Sequence, residues 1–298
     1  MSRHMLFFQQ LVNGISLGAV YALFAVGFGV VFSTMRILNL AQGVYATWGA
    51  LAAYWAVTEA GLPFAVAVVA GAGAGALTAV AVDQIAFQPL RSRGGEQLLG
   101  TIITSVALWI ALREAASLAT GAAPLGFPPG TVPDGLLQIG GVRVLMTQIL
   151  AIVCAVAVTA AIHLVLRRTR LGKAIRAVGH DRGAAMLGGV DPRVAILTAA
   201  ALAGAATGLA GVFFAAGQTF TFSLGDGLLL HGFAAVVIGG MGDVRGAAFG
   251  GFLIGVIQVM SAQYISASFQ DAITFGLLLA VLVARPRGLF RTVELGRA

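Results

Sequence analysis

The stretch Arg167–Arg193, RRTRLGKAIRAVGHDRGAAMLGGVDPR, carries seven of the 18 Lys and Arg residues of the chain. It lies between Val144–Leu166 and Val194–Gly225, and neither flanking segment contains a Lys, Arg, Asp or Glu residue. Each flanking segment is long enough to cross a bilayer as a helix. Because short loops rich in Lys and Arg stay on the cytoplasmic side of a membrane, this pattern predicts a cytoplasmic loop over residues 167–193.

The composition of the whole chain is that of an integral membrane protein. Of its 298 residues, 59% are hydrophobic and 10% are charged, whereas a soluble domain carries about 25% charged residues. The net charge of +7 lies in short loops beside apolar segments, which favours membrane orientation over nucleic-acid binding. The single cysteine, Cys154, excludes an internal disulfide.

Nine apolar segments predict an all-α, polytopic bundle of eight or nine transmembrane helices in a single domain, residues 1–298. The segments are Leu11–Met35, Ile37–Thr58, Pro63–Val82, Leu98–Ala119, Val144–Leu166, Val194–Ala216, Leu228–Met241, Ala247–Tyr264 and Ala272–Ala284. The short segment Leu228–Met241 could be a half-helix, so both eight and nine crossings stay open.

The distribution of basic residues predicts an orientation. With nine crossings, the N-terminus outside and the C-terminus in the cytoplasm, fifteen of the 18 Lys and Arg residues fall on the cytoplasmic side. The stretch 120–143 is then an external loop, and its four prolines indicate irregular structure.

Small residues recur at four-residue spacing, which is typical of helices that pack closely in membranes. They predict tight packing rather than a ligand site, and the pairs are Gly71/Gly75, Gly204/Gly208, Gly246/Gly250 and Gly251/Gly255.

The sequence shows no motif for ATP binding, metal binding or ion coupling. Gly172-Lys173 is followed by Ala174, so the phosphate-binding motif GxxxxGK[ST] is absent. The acidic residues lie mostly at the ends of predicted spans, whereas an ion-coupled carrier places acidic residues or His within the membrane. Arg113, near one span end, is expected to extend to the membrane surface. The four histidines are widely separated, and His163 and His231 are interpreted as structural.

The basic loop itself has the pattern of two short helices. Leu171–Val178 has helical apolar spacing under a basic face, and Asp181–Leu187 predicts a second helix with Asp181 as its N-cap. Gly188-Gly189 would end that helix, and Asp191-Pro192 would begin the next span. From the loop alone, a segment that only fixes topology is an equally good interpretation.

Several motifs in this chain resemble those of one transporter family. Asp181–Arg193, DRGAAMLGGVDPR, resembles the EAA-like loop of ABC-importer permeases, with Gly183 in place of the family's glutamate. Gln9–Ala25, QQLVNGISLGAVYALFA, and Ile37–Gly43, ILNLAQG, resemble the start of LivH-type permeases of branched-chain amino acid importers. Leu230–Ala247, LHGFAAVVIGGMGDVRGA, resembles a further signature of these permeases.

The resemblance implies the ABC-importer permease fold and a permease subunit in the inner (cytoplasmic) membrane that works by alternating access. It implies a second, LivM-like permease, two ATPase subunits that bind ATP, and an external solute-binding protein, with no cofactor in this chain. The residues it implies for ATPase coupling are Arg176, Asp181, Ala184, Ala185, Leu187, Gly188 and Gly189.

A path for zwitterionic, apolar amino acids needs small and uncharged polar residues. The candidates are Asn13, Tyr21, Asn39, Gln42, Gly43, Thr101 and Gln218, although such residues often only tie helices together. LivH-type permeases usually have lysine at the position of His231 and histidine at the position of Gln42. These differences leave the identity of the transported substrate open. Alternatives are a similar permease for urea, short amides or aromatic acids, a stand-alone channel or ion-coupled carrier, and an accessory protein without a path.

Overall fold

The computed structural model of the protein describes residues 3–92, 98–133, 135–139, 141–285 and 288–290. Within these residues the fold is an all-α bundle with one small β-hairpin. The helices are α1 Arg3–Met35, α2 Gln42–Thr58, α3 Phe64–Val82, α4 Gln88–Ser92, α5 Leu98–Thr120, α6 Met146–Arg168, α7 Arg170–His180, α8 Arg182–Leu187, α9 Pro192–Gly217, α10 Leu224–Gly239, α11 Val244–Tyr264 and α12 Gln270–Ala284. A π-helical turn, Asp83–Phe87, joins α3 to α4, and a 3₁₀ turn, Ala267–Phe269, precedes α12.

Seven helical stretches of the described chain are long and apolar enough to cross a membrane. Helices α2 and α10 are shorter, with 17 and 16 residues. Together these nine agree with the predicted bundle of eight or nine membrane helices. Leu228–Met241 was predicted to be short, and the observed α10 begins four residues earlier, at Leu224.

Close backbone contacts between glycines hold the centre of the bundle together. A Cβ atom on Gly75 would collide with the carbonyl of Gly204 and lie 2.8 Å from the Cα of Gly208. In the same way, a Cβ on Gly18 of α1 would lie 2.7 Å from the Cα of Phe252 on α11. Since only glycine permits these approaches, the prediction of tight packing is confirmed.

The prediction of a single helix over Ile37–Thr58 is wrong for the first part of that segment. Helix α1 ends at Met35, residues 36–41 are not helical, and α2 begins at Gln42. Gln42 reaches Gly27 and Thr207, each at least eight residues, or about 12 Å, from an end of α1 or α9. Helix α2 therefore begins inside the bundle, after a segment that re-enters it.

Two further predicted boundaries differ from the structure. The predicted span Pro63–Val82 continues without a break through the π turn to Ser92. The external stretch 120–143 is not irregular throughout, because strands β1 (Leu136–Ile139) and β2 (Val142–Leu145) form an antiparallel hairpin. Alternating side chains over 142–145 fit a strand, so α6 starts only at Met146.

Several positively charged segments lie at one end of the bundle. Arg36 at the end of α1 contacts Gly179 of α7, and Arg91 of α4 and Arg182 of α8 are electrostatic neighbours. Arg245 at the start of α11 contacts His163 near the end of α6. This grouping is what the charge-based orientation requires. The basic positions Arg93, Arg287, Arg291 and Arg297 lie outside the described residues.

Candidate functional site

The side chain of Asn39 organises the backbone of residues 36–41. Its Oδ1 accepts a hydrogen bond from the amide of Ala41 at 3.1 Å, and its Nδ2 donates to the hydroxyl of Tyr45 at 2.9 Å. The amide of Leu40 donates to Ser105 of α5 at 3.3 Å. Non-helical backbone inside a membrane needs such internal partners, and Asn39 is only 3% exposed.

Next to this segment, the starts of α2 and α10 meet backbone to backbone. A Cβ on Gly43 would lie 2.6 Å from the carbonyl oxygen of Gly225, and the Gly225 amide donates to Thr47 Oγ1 at 3.1 Å. Gln42 donates from Nε2 to Thr207 at 2.8 Å. The Gln42 Oε1 atom is buried and has no hydrogen-bond partner among the described residues. Three predicted path residues, Asn39, Gln42 and Gly43, are thus close together here.

A second polar cluster joins α1, α10, α11 and α12. Tyr21 donates to Gln258 Oε1 at 2.6 Å and stacks on His231 with ring centroids 5.2 Å apart. His231 Nε2 lies 3.1 Å from Gln258 Nε2 and 3.2 Å from Asp271 Oδ1. His231 Nδ1 donates to the carbonyl of Gly227 at 2.8 Å, since a carbonyl oxygen can only accept.

This second cluster, Tyr21–His231–Gln258–Asp271, lies inside the membrane part of the bundle. Tyr21, His231 and Gln258 are each at least six residues, or about 9 Å, from either end of their helices. Asp271 lies in the first turn of α12, which agrees with the prediction that most acidic residues lie at span ends. Its contact with Gln258 at 3.3 Å places its carboxylate beside a residue that is about 9 Å from the end of α11.

Arg113, which was expected to extend to the membrane surface, forms an ion pair with α10. Its Nε lies 2.9 Å from Asp226, and its guanidinium lies over the ring of Phe222 at 5.0 Å. Trp109 donates to the other Asp226 oxygen at 2.9 Å. This ion pair attaches α5 to the first turn of α10. A carboxylate in the first turn also interacts favourably with the N-terminus of its own helix.

The remaining predicted path residues lie apart from these two clusters. Asn13 is half-buried and accepts from Gln148 of α6 at 3.1 Å. Thr101 lies in the first turn of α5, and Gln218 is exposed at the end of α9. The sequence interpretation missed Thr47, Thr207, Gln258 and Asp271. The signal available for Gln258 was a polar residue inside an apolar helix.

The basic loop folds as the sequence predicted. Helices α7 and α8 form, Asp181 accepts a hydrogen bond from Ala184 at 3.0 Å as N-cap, and Asp191 accepts one from Arg193 at 2.8 Å. Gly188 is the C-cap of α8, and Gly189 has φ +78°. This left-handed conformation favours glycine at the helix end.

The predicted coupling residues divide into buried and exposed groups. Arg176 donates to the Leu166 carbonyl at 2.5 Å and so ties α7 to the end of α6. Ala185 is 5% exposed and packs with Ile175 and Val178 in the apolar core beneath the loop. Ala184 and Leu187 face outward, and Leu187 is 93% exposed. Met186 beside it is 57% exposed, so α8 presents two adjacent apolar side chains outside the bundle, and contiguous exposed apolar surface is what marks an interaction site.

The loop rests directly on the start of the re-entrant segment. A Cβ atom on Gly179 of α7 would collide with the carbonyl of Ser33 in the last turn of α1. Arg36, which has φ +56°, donates from Nε to the Gly179 carbonyl at 3.4 Å. A non-glycine residue in this conformation is uncommon. A movement of α7 would therefore displace Arg36, the residue at which the chain turns back into the bundle.

The α3–α4 connection forms a second contact with the loop. Arg91 donates to both oxygens of Asp83 at 2.8 Å, and the Asp83 side chain is only 3% exposed. Burial, together with the nearby Arg91 guanidinium, lowers the pKa of Arg182, while Asp83 acts in the opposite direction. This buried ion pair lies beside Asn39 and Tyr45, with which Asp83 shares a small cavity of about 10 Å³.

Within the described residues, no group of three His, Cys, Asp or Glu side chains is arranged to hold a metal ion. The geometry instead offers two polar clusters inside the bundle and a basic loop that contacts the segment carrying one of them.

Comparison with known proteins gives the same assignment along nearly the whole chain. Residues 10–282 match the family described as branched-chain amino acid transport system / permease component. The high-affinity branched-chain amino acid permease BraD of Pseudomonas aeruginosa is 30% identical, covering 97% of each chain. LivH of Escherichia coli is 28% identical over 99% of each chain. The probable LivH of Methanocaldococcus jannaschii is 26% identical, covering 90% of this chain and 87% of its own.

No solved structure matches the chain. The family match and the relatives nevertheless agree with the membrane bundle and its basic loop, and they identify a transport subunit rather than an enzyme. The chain belongs to the family of permease components of branched-chain amino acid transport systems.

Proposed function

We propose that this protein is the permease subunit of an ATP-driven importer for branched-chain amino acids. The observation that carries the proposal is the family match over residues 10–282, together with relatives of nearly equal length that are named for this transport. The folded loop 167–193, with its exposed Leu187, supports the proposal that separate ATPase subunits bind this chain and drive its movement.

The partners proposed are a second, LivM-like permease, two ATPase subunits and a solute-binding protein. The ATPases bind the loop 167–193 from the cytoplasm, and the binding protein delivers the substrate outside. The N-terminus is then external and the C-terminus cytoplasmic, an orientation supported by the basic residues at one end of the bundle. ATP binds only to the ATPase subunits, and this chain contributes no cofactor site.

The proposed mechanism is alternating access. When the ATPases close on ATP, they move α7 and α8, and the contacts of Gly179 with Ser33 and of Arg36 with Gly179 transmit this movement to residues 36–41. Because α2 begins with these residues, its start and the Gly43–Gly225 contact shift with the loop. A coupled movement of this kind needs contiguous contacts between two sites, and the described residues provide them.

The substrate path is proposed to run along the surface that faces the second permease. The cavity beside Asn39 and Tyr45 holds about 10 Å³, whereas sites for small molecules measure about 300 Å³ or more. An amino acid therefore does not fit into that cavity, which supports a path shared between two subunits.

Uptake into proteoliposomes tests the proposal. The chain is reconstituted with the partner permease, the ATPases and the binding protein, with ATP on the ATPase side, and radiolabelled leucine, urea and phenylalanine are compared. We expect leucine uptake that stops when any component or ATP is omitted. Leucine flux through liposomes containing only this chain, without ATP, would instead show a channel and contradict the proposal.

A further inference from the structure

Asp271 is unusual among the residues of the second polar cluster because its side chain is open to the outside of the bundle. The Asp271 side chain is 59% exposed and that of His231 only 11%, while Gln258 and Tyr21 are buried. Both neighbours contact the same carboxylate atom, Oδ1, at 3.2 Å from His231 and 3.3 Å from Gln258. Within the described part of the chain, no hydrogen bond reaches Oδ2.

The surroundings of Asp271 do not balance its charge with a permanent cation. No Lys or Arg among the residues that the structure describes forms an ion pair with this carboxylate, and its neighbour His231 carries no permanent charge. A carboxylate at this depth cannot face lipid without a large desolvation cost. The open side of Asp271 therefore faces water or a polar partner when the transporter is assembled.

Helix α10 presents two exposed residues close to His231 along the chain. Helix α10 is buried at most positions, but Gly227 and Leu230 are exposed, and Leu230 is 55% exposed. A Cβ atom on Gly227 would meet no atom within 4 Å, so the surface there is open. The Gly227 carbonyl is held by His231, which also contacts Asp271. His231 thus contacts the Asp271 carboxylate through one ring nitrogen and the open backbone at Gly227 through the other, and the exposed Leu230 precedes it in the chain.

We infer that Asp271 binds the ammonium group of a zwitterionic substrate as it passes along this surface, with its aliphatic side chain against Leu230. The inference rests on the proposed function and adds a subsite to it. Charge-assisted hydrogen bonds between ammonium and carboxylate are strong when water is largely excluded. Gln258, whose Oε1 is held by the Tyr21 hydroxyl, donates from Nε2 to Asp271 Oδ1 at 3.3 Å, which leaves Oδ2 for the ligand.

Thiol labelling of the complete transporter tests whether Asp271 faces the path. In a Cys154→Ser background, Asp271→Cys and Leu279→Cys are compared, because Leu279 lies on the same helix and is 66% exposed. The probe is a trimethylammonium methanethiosulfonate that does not cross membranes. We expect Asp271→Cys to react about tenfold faster than Leu279→Cys, since only a hydrated thiol ionises readily, and leucine-loaded binding protein to slow this reaction.

Equally slow labelling at both positions would contradict the inference, because Asp271 would then contact lipid or a group of the second permease. Fast labelling that leucine does not slow would contradict it as well.

The ratio of leucine transported to ATP hydrolysed tests the role of the charge. We expect Asp271→Asn to lower this ratio about tenfold, the effect of losing one strong ionic hydrogen bond, with ATPase activity stimulated by binding protein retained. Asp271→Glu should keep the ratio within about threefold of wild type because the charge remains.

Two outcomes would overturn the inference while leaving the proposed function intact. One is an unchanged ratio in Asp271→Asn, and the other is equal loss in Asp271→Asn and Asp271→Glu. Loss of stimulated ATPase activity in Asp271→Asn would place the residue in assembly and would also contradict it. Failure of the wild-type complex to import leucine would instead refute the proposed function.

Discussion

At the scale of single residues, the bundle depends on positions where one added carbon atom does not fit. Gly75 on α3 faces the backbone of α9, and the nearest atoms belong to Gly204 and Gly208 rather than to flexible side chains. Backbone atoms cannot move aside without separating the two helices. Gly73 is two residues away on the same helix but faces outward, where a Cβ atom meets nothing within 4 Å.

We therefore expect Gly75→Leu to destabilise the protein by about 1–3 kcal/mol or more through overpacking, and Gly73→Leu to have little effect. Thermal unfolding of the purified chain in detergent measures both. Equal unfolding temperatures for the two variants would show that α3 and α9 do not pack as described.

Asn39 is a polar residue of similar structural importance, because its side chain forms hydrogen bonds with a backbone amide and a side-chain hydroxyl inside the bundle. Asn39→Ala should cost about 1–3 kcal/mol, since the buried Ala41 amide loses its acceptor and the Tyr45 hydroxyl loses its donor. Asn13→Ala is the control, as Asn13 is only half-buried. Thermal unfolding that ranks Asn13→Ala below Asn39→Ala in stability would contradict the structure of residues 36–41.

At the scale of elements, the sequence predicted what depends on local chemistry. The caps Asp181 and Asp191 and the left-handed Gly189 were predicted correctly because each acts within three residues of its partner. The long apolar helices were predictable from hydropathy for the same reason.

The re-entrant segment before α2 and the contacts of the start of α12 were not predictable in this way. Residues 36–41 lie in an otherwise apolar stretch, and the contacts of Asn39 with Tyr45 and of Leu40 with distant Ser105 hold them in a non-helical conformation. The position of Asp271 within the membrane depends on Gln258 and His231, which are 13 and 40 residues away along the chain. Such tertiary contacts have no local sequence signal.

The basic loop gives a prediction that separates docking from folding. Leu187 is 93% exposed, so Leu187→Glu should leave folding and membrane abundance unchanged while abolishing ATP-driven leucine uptake. Its matched control is Gly183→Glu, which adds the same charge to the same short helix at an exposed position. We expect Gly183→Glu to retain uptake. Normal uptake by Leu187→Glu in proteoliposomes would exclude α8 as the ATPase contact.

At the scale of the whole molecule, the basic end of the bundle is connected by side-chain contacts to buried polar residues. The ends of α1, α4 and α6 and the start of α9 lie around α7 and α8, and the start of α11 contacts α6. From this end, contacts continue through Arg36 and Asp83 to the buried residues Asn39 and Tyr45. A force applied at the loop thus reaches the middle of the bundle through packed, hydrogen-bonded residues.

The loop 167–193 must face the compartment that contains ATP if ATPase subunits bind it. The direct measurement is labelling of Leu187→Cys, in a Cys154→Ser background expressed without the ATPase subunits so that the thiol is not covered, with a thiol reagent that does not cross membranes. Intact cells and inside-out vesicles are compared at equal protein abundance. We predict labelling only in inside-out vesicles; labelling of intact cells from the external side would contradict the account.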